Sequence, residues 1–385
     1  MKIYKYFLRT VYDIGLIRII GRLKFDIRKI IYSFLPGKLN LIISHSNQKS
    51  PNLRNTLTNL ENRIISIRKD TLIKKNIKFN FLNEEKLLKT PINWNSSEFS
   101  HLWRFNLHYF DWGRNILENA LINENLDKEI IFLYFLIDDW IENNIPGYGD
   151  GWSSYTISLR IRNWIIIFRS FPNLVKDKYI NSLWQQLSWL FHNREIYLGG
   201  NHWIENLVSL IIGSLQFEGK KARNIFQYAM RNLEYELKKQ ILNDGGHIER
   251  SASYHLLILD RLVELGLIIE NIEGIRPSWL IDSISKMRDW ALKIKLLNGE
   301  YPKFNDNPDL NFNIDSIIYY SKCYLKKSLI NEKSIKNNLS KIYKKVSFNN
   351  TDFLTKKNSN YLINLCNTGW ILTRMNNIEL VFKVG

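Results

Sequence analysis

The chain has 385 residues, 45% hydrophobic and 24% charged, with a formal net charge of +17. That length supports a large core and two or three domains, while two cysteines with no CxxC or Cys/His metal spacing argue against a zinc ribbon or a disulfide framework. The positive balance favours an anionic partner, but the basic residues gather near the ends without interleaved aromatics, which argues against a single-strand nucleic-acid platform.

In chain order, Met1 to Leu35 is basic and amphipathic. It lacks a continuous apolar run followed by a small-residue cleavage site, so it does not read as a signal peptide. A basic helix over residues 3–34 could touch a membrane surface peripherally; a packed or frayed terminal helix is the simpler expectation. The longest apolar run, Ile130 to Ile137, is too short to cross a bilayer. Pro36-Gly37 breaks the first helix, and the poorly periodic stretch to residue 100 reads as a wrapping extension, with a short apolar segment at Ile77 to Phe81. Beyond it, helical periodicity recurs at 113–122, 127–143, 155–171, 176–194, 202–217, 220–240, 252–271 and 278–297, with short polar or glycine breaks between. Such an array predicts antiparallel helix hairpins, closed into an α/α toroid or left open as a solenoid. No fixed repeat period is visible, which disfavours the solenoid. After about 345 the pattern turns to strands at 361–365, 370–374 and 378–384. The expected fold is therefore mainly α, an incomplete α/α toroid with a short β segment at the C-terminus. The expected domains are an N-terminal extension (1–99), a toroid (100–345) and the start of a β-sandwich (346–385).

Two segments carry the chemistry. Gly200-Asn201-His202-Trp203-Ile204-Glu205-Asn206 and Asp244-Gly245-Gly246-His247-Ile248-Glu249-Arg250-Ser251-Ala252-Ser253-Tyr254-His255 together hold three of the seven histidines. Each has a glycine break and then runs into an apolar helical pattern. Asn201 is the expected N-cap of its helix, with His202 and Glu205 three apart on one face; the structural alternative is a capping box through Glu205. In the second segment Ser251 or Ser253 is expected to cap, placing Tyr254 and His255 in the first turn. Core packing alone would explain Tyr254 but not the whole run.

Further candidates are aromatic. Trp103, Asn106 and His108 fall in a dense aromatic–polar stretch that could line a saccharide subsite or form a buried cluster. Trp152 sits beside the Gly149-Asp150-Gly151 loop, and Arg160 and Arg162 could meet carboxylate or sulfate. Asp138-Asp139-Trp140-Ile141-Glu142 fits a DDxxE pattern of magnesium-diphosphate enzymes, but no second metal motif accompanies it. A glycoside hydrolase using Glu205 and Glu249 is an enzyme alternative, which leaves Asn201, His202 and Tyr254 without roles.

At Asn-His-Trp-x-x-Glu, Asp-Gly-Gly-x-x-Glu-x-Ser-x-x-Tyr-His and the Pro302-x-x-Asn305-Asp306 loop, residues 100–385 resemble the heparinase II/III and alginate-lyase-like polysaccharide lyases. The resemblance implies an α/α toroid followed by a β-sandwich, and cleavage of uronic-acid polysaccharide by β-elimination. It implies that Asn201 and His202 neutralise the substrate carboxylate and that Tyr254 moves the proton. Glu205, His255, Glu249 and Arg250 would support the site or bind substrate. An acidic polysaccharide is then the partner, no cofactor is expected in this chain, and any structural metal would belong to the sandwich. Family members act on periplasmic or exported glycans. In the family the sandwich also supplies a catalytic histidine; residues 256–385 contain none, so a truncated member with weak or absent turnover is expected. Binding of acidic glycan without catalysis, and a part in surface-polysaccharide assembly, are the non-enzyme alternatives.

Overall fold

The computed structural model describes residues 16–34, 50–52, 76–122, 126–296, 298–306, 314–326, 361–375 and 378–383. Of the basic residues late in the chain, Lys326 is described, while Lys327, Lys333, Lys336, Lys341, Lys344 and Lys345, with the start of the expected 3–34 helix, lie outside the described residues. The chain divides into two compact units, Met1–Ala229 and Met230–Gly385.

The first unit opens with α1 (Leu16–Phe34), then the hairpin β1 (Asn76–Phe81) and β2 (Glu84–Lys89). Leu82 and Asn83 join the strands with φ of 57° and 61°, the doubly left-handed loop that a two-residue hairpin favours. The hairpin was legible only as an apolar stretch. Its Phe79 packs on Trp112 and its Phe81 on Trp103. Six helices follow: α2 (His101–Tyr109), α3 (Asp111–Ile122), α4 (Leu126–Asn143), α5 (Ser154–Ser170), α6 (Asp177–His192) and α7 (Gly200–Ser214). α5 is the hub, packing on α2, α3, α6 and α7. It is buried almost end to end, which explains why its apolar pattern runs all round rather than along one stripe.

The helix α8 (Lys220–Gln240) crosses the boundary between the units. In the second unit α9 (Ala252–Glu273) packs against both α10 (Ser278–Ile294) and α11 (Ile314–Leu325). The strands β3 (Tyr361–Leu365), β4 (Trp370–Met375) and β5 (Ile378–Lys383) form an antiparallel sheet in that order. Leu365, Trp370 and Leu372 share a core with Ala252, Trp290 and Ile294. Gly245 (φ 93°) and Gly246 are required here. A Cβ on Gly245 would overlap the Lys286 carbonyl, and one on Gly246 would overlap Thr368 and the Trp290 ring.

The two cysteines are both free thiols. Among the described residues no helix is long and apolar enough to cross a membrane.

Candidate functional site

In the first unit the site is built at the start of α7. Gly199 and Gly200 both take positive φ, 65° and 52°, so the chain turns sharply out of the loop after α6. Gly199, not Asn201, occupies the N-cap. The expected capping role of Asn201 is thus corrected: Asn201 lies inside the first turn and is nearly buried. His202 stands outward, 37% exposed, with its Nδ1 3.4 Å from Glu195 Oε2. Its ring lies against Tyr155, with centroids 4.3 Å apart and planes at 34°. Glu195 is itself held: Asn206 Nδ2 donates to its Oε2 at 3.2 Å, and Asn206 Oδ1 accepts from its backbone N–H at 2.8 Å. Asn206 also donates to Ser158 Oγ on α5 at 3.1 Å. A relay therefore runs from α5 through Asn206 and Glu195 to the imidazole.

Glu205, three residues on, points the other way. Its Oε2 meets Arg162 Nη1 at 3.3 Å, with both side chains 1% exposed. It makes a buried ion pair, neither a capping box nor a substrate contact. Trp103 is fully buried between Phe81 and Phe99 and donates to the Glu84 carbonyl at 3.1 Å. His108 is fully buried too; its Nδ1 accepts from Trp140 Nε1 at 3.0 Å, and burial, with Arg160 beside it, holds its pKa well below the usual value. Arg160 donates to Gln186 Oε1 at 2.8 Å and to the carbonyls of Gly151 and His108 at 2.7 and 3.2 Å. Its guanidinium lies 3.9 Å from the Trp140 ring centroid. Trp152 is buried beside Trp140 and Trp189. The expectation that Trp103, His108, Trp152 and Arg160 line a subsite is corrected on this ground: a fully enclosed side chain positions backbone and does not touch a sugar. Asn106 is half-buried and donates back to the Leu102 carbonyl at 2.8 Å. The DDxxE residues are likewise structural. Asp139 accepts from Trp94 Nε1 at 2.8 Å and the Ile92 N–H at 3.1 Å, and Asp138 pairs with Lys176 and Lys178.

In the second unit Ser251 caps α9 and accepts from the Tyr254 N–H at 3.3 Å. The Tyr254 hydroxyl donates to Asp306 Oδ2 at 2.9 Å. Partial burial, this hydrogen bond and the nearby Glu249 charge push the phenol up to about 12. Asn305, next to Asp306, donates to the carbonyls of Glu249 and Arg250 at 3.3 and 3.0 Å. Glu249 and Arg250 are half-buried, and Arg250 takes a left-handed φ of 54°. The 302–306 loop thus holds both the motif backbone and the phenol.

The histidines beside Tyr254 do something else. His255 is fully buried against Trp290, with its Nε2 2.8 Å from the Met287 carbonyl. His247 is buried with its Nε2 3.0 Å from Gln240 Oε1. Burial lowers their pKa values to about 4 and about 3. The expected substrate contact for His255 is therefore corrected to packing. Asp244 accepts from the Thr368 N–H and hydroxyl at 2.7 and 2.8 Å, tying the β3–β4 turn to the glycine motif.

Sequence reasoning missed Glu195 and Asp306 as partners. A carboxylate just ahead of Gly199-Gly200 was the available signal for the first; Asp306 stood in a noticed loop without a role.

The fold is mainly α, of the α/α-toroid class built from helix hairpins, with a short antiparallel β segment toward the C-terminus. The sequence model described as Heparinase II/III N-terminus matches residues 39–330, and the chain belongs to that family. The heparan sulfate lyase HepC from Pedobacter heparinus is similar in structure, with TM-score 0.53 and 18% identity, over 89% of this chain and 55% of that one. The heparinase III BT4657 gene product is similar at TM-score 0.52 and 16% identity, over 94% and 59%. The chain thus spans a little over half the length of these solved structures. A comparison with curated proteins finds no match.

Proposed function

We propose that the chain is a polysaccharide lyase that cleaves uronic-acid-containing polysaccharide by β-elimination. In this reaction a base takes the C5 proton, the C5–H electron pair forms the C4=C5 double bond, and the C4–O bond breaks. The leaving oxygen takes a proton. The adjacent carboxylate must be neutralised for the C5 carbanion to form at reasonable cost.

The observation that carries the reading is the Tyr254 phenol, reaching the surface while it donates to Asp306 at 2.9 Å. With its pKa up at about 12 it keeps its proton at neutral pH, the state needed to protonate a departing sugar oxygen. His202 and Asn201 are assigned to the substrate carboxylate, supported by the outward imidazole at a helix start, where N–H groups favour anions. Glu249 and Arg250 are assigned to substrate binding. Glu205, enclosed with Arg162, is a poor acid or base for a glycoside hydrolase.

The test is incubation with heparan sulfate, alginate and chondroitin while following the ultraviolet absorbance of the unsaturated product. Product that disappears in Tyr254→Phe supports the assignment. Robust turnover surviving Tyr254→Phe overturns it. Saccharide affinity without product, in both the native chain and Tyr254→Phe, would make the protein a glycan-binding one instead.

A further inference from the structure

The six side chains Ile20, Leu23, Ile27, Ile30, Ile31 and Phe34 are exposed large apolar groups on a single helix, α1, with Ile27 at 57% and Phe34 at 79%. Their spacing of mostly three and four residues puts them on one stripe. The stripe faces away from the first unit. Gly21 sits against Tyr197, where an added Cβ would meet the Tyr197 Cβ at 3.4 Å, and the Arg22 guanidinium lies 5.4 Å from the Tyr197 ring centroid. At 3.6 residues per turn, Gly21 and Arg22 are roughly 120–140° around the helix from Ile27. One face of α1 therefore docks on the loop that carries Glu195, and another presents bare hydrocarbon.

The charge names the occupant. Residues 1–34 contain eight basic and two acidic residues, in a chain of net charge +17. Lys24 is exposed next to the stripe. A second copy of the same basic helix would bring like charges together, whereas an anionic lipid surface would neutralise them. The charges within α1 forbid a spanning helix, and they suit one that lies in the headgroup region with its apolar side down. We propose that α1 is an interfacial helix that binds anionic membrane surface, holding the loop beside His202 close to it.

The experiment is sedimentation of the full chain with phosphatidylcholine vesicles, with and without phosphatidylglycerol. Binding is expected to the anionic vesicles and to fall as salt rises. The double variant Ile27→Asp/Phe34→Asp should partition about a hundredfold more weakly, because two apolar side chains are lost from the interface. Leu82→Asp, an equally exposed apolar position on the β1–β2 turn, should bind as the native chain does. Equal partition of native chain and double variant overturns the proposal. So does a concentration-dependent dimer, abolished by the double variant, in a chain that ignores anionic vesicles. These readouts need no turnover and stand apart from the lyase assignment.

Discussion

The two units use histidine in opposite ways at similar-looking motifs. In the first, His202 stands outward at a helix start, with a carboxylate and a phenol ring as neighbours. In the second, His247 and His255 are enclosed and bonded to neutral acceptors, and the polar group that reaches solvent is the Tyr254 phenol. The difference shows that a motif histidine beside glycine is no guide to its own job. What decides is whether the helix that follows turns that position outward or into a neighbour.

The largest effect that can break this contrast is at the phenol. Tyr254→Phe should cost about 10²–10⁴ in turnover, the usual range for losing a positioned acid, with an unchanged melting curve. A variant that keeps most of its activity would make Tyr254 a packing residue like His255.

The next concerns the buried pair behind His202. Glu205→Ala removes a carboxylate from enclosed Arg162, and should cost about 3–5 kcal/mol in chemical denaturation. Glu205→Leu combined with Arg162→Met should recover most of that loss. A single variant as stable as the native chain would show that the pair is not needed.

Acid should reach the enclosed histidines of both units, since His108 in the first is also held well below its ordinary pKa; the sharper test lies in α9, which carries His255. His247 and His255 have folded pKa values of about 3 and about 4, against an ordinary 6.5. The unfolded chain therefore binds more protons than the folded one between those limits. Their contribution is fully present above about pH 6.5 and is lost as pH falls toward 4 and then 3. At about 1.4 kcal/mol per pKa unit the loss amounts to several kcal/mol. Peptide-resolved hydrogen exchange should show α9 losing protection over this range, after correction for intrinsic rates, and His255→Gln should lessen that loss. Unchanged α9 protection as pH falls from about 6.5 toward 4 would sink this reading.

The smallest effect is a shift. Asp306→Asn removes the charged acceptor of the Tyr254 hydroxyl and should bring the phenol down from about 12 toward 10. The alkaline fall in activity would then begin at lower pH, by about one unit. An unmoved alkaline limb would mean that Asp306 does not hold the phenol.

Much of the helix inventory was legible because core-facing periodicity is a local property. Residues 220–240 were expected and found as a helix at those bounds, and α5, α7, α9 and α10 agree within a few residues at either end. The helices α2 and α11 escaped; α2, at nine residues, holds few periods. The β1–β2 hairpin escaped because its turn uses Leu82-Asn83 where Asn-Gly would have announced it. The Ser251 cap was readable from residue type; the Asn201 cap was misread, because Gly199 takes that place. The Trp103-to-Trp112 stretch was seen as dense, but density alone cannot separate a lining from a core.

By itself the sequence determined the mainly helical class, the C-terminal strands and the two motifs at helix starts, because periodicity, glycine breaks and capping residues act within a few neighbours. Only the tertiary structure decided which motif side chains face solvent and which partner each finds. Glu195 lies seven residues from His202 across a glycine turn, and Asp306 lies 52 residues from Tyr254. Arg160 and Glu205 are charged residues that sequence places at a surface by default. Packing enclosed them because Gln186, backbone carbonyls and Arg162 could satisfy their polar atoms inside.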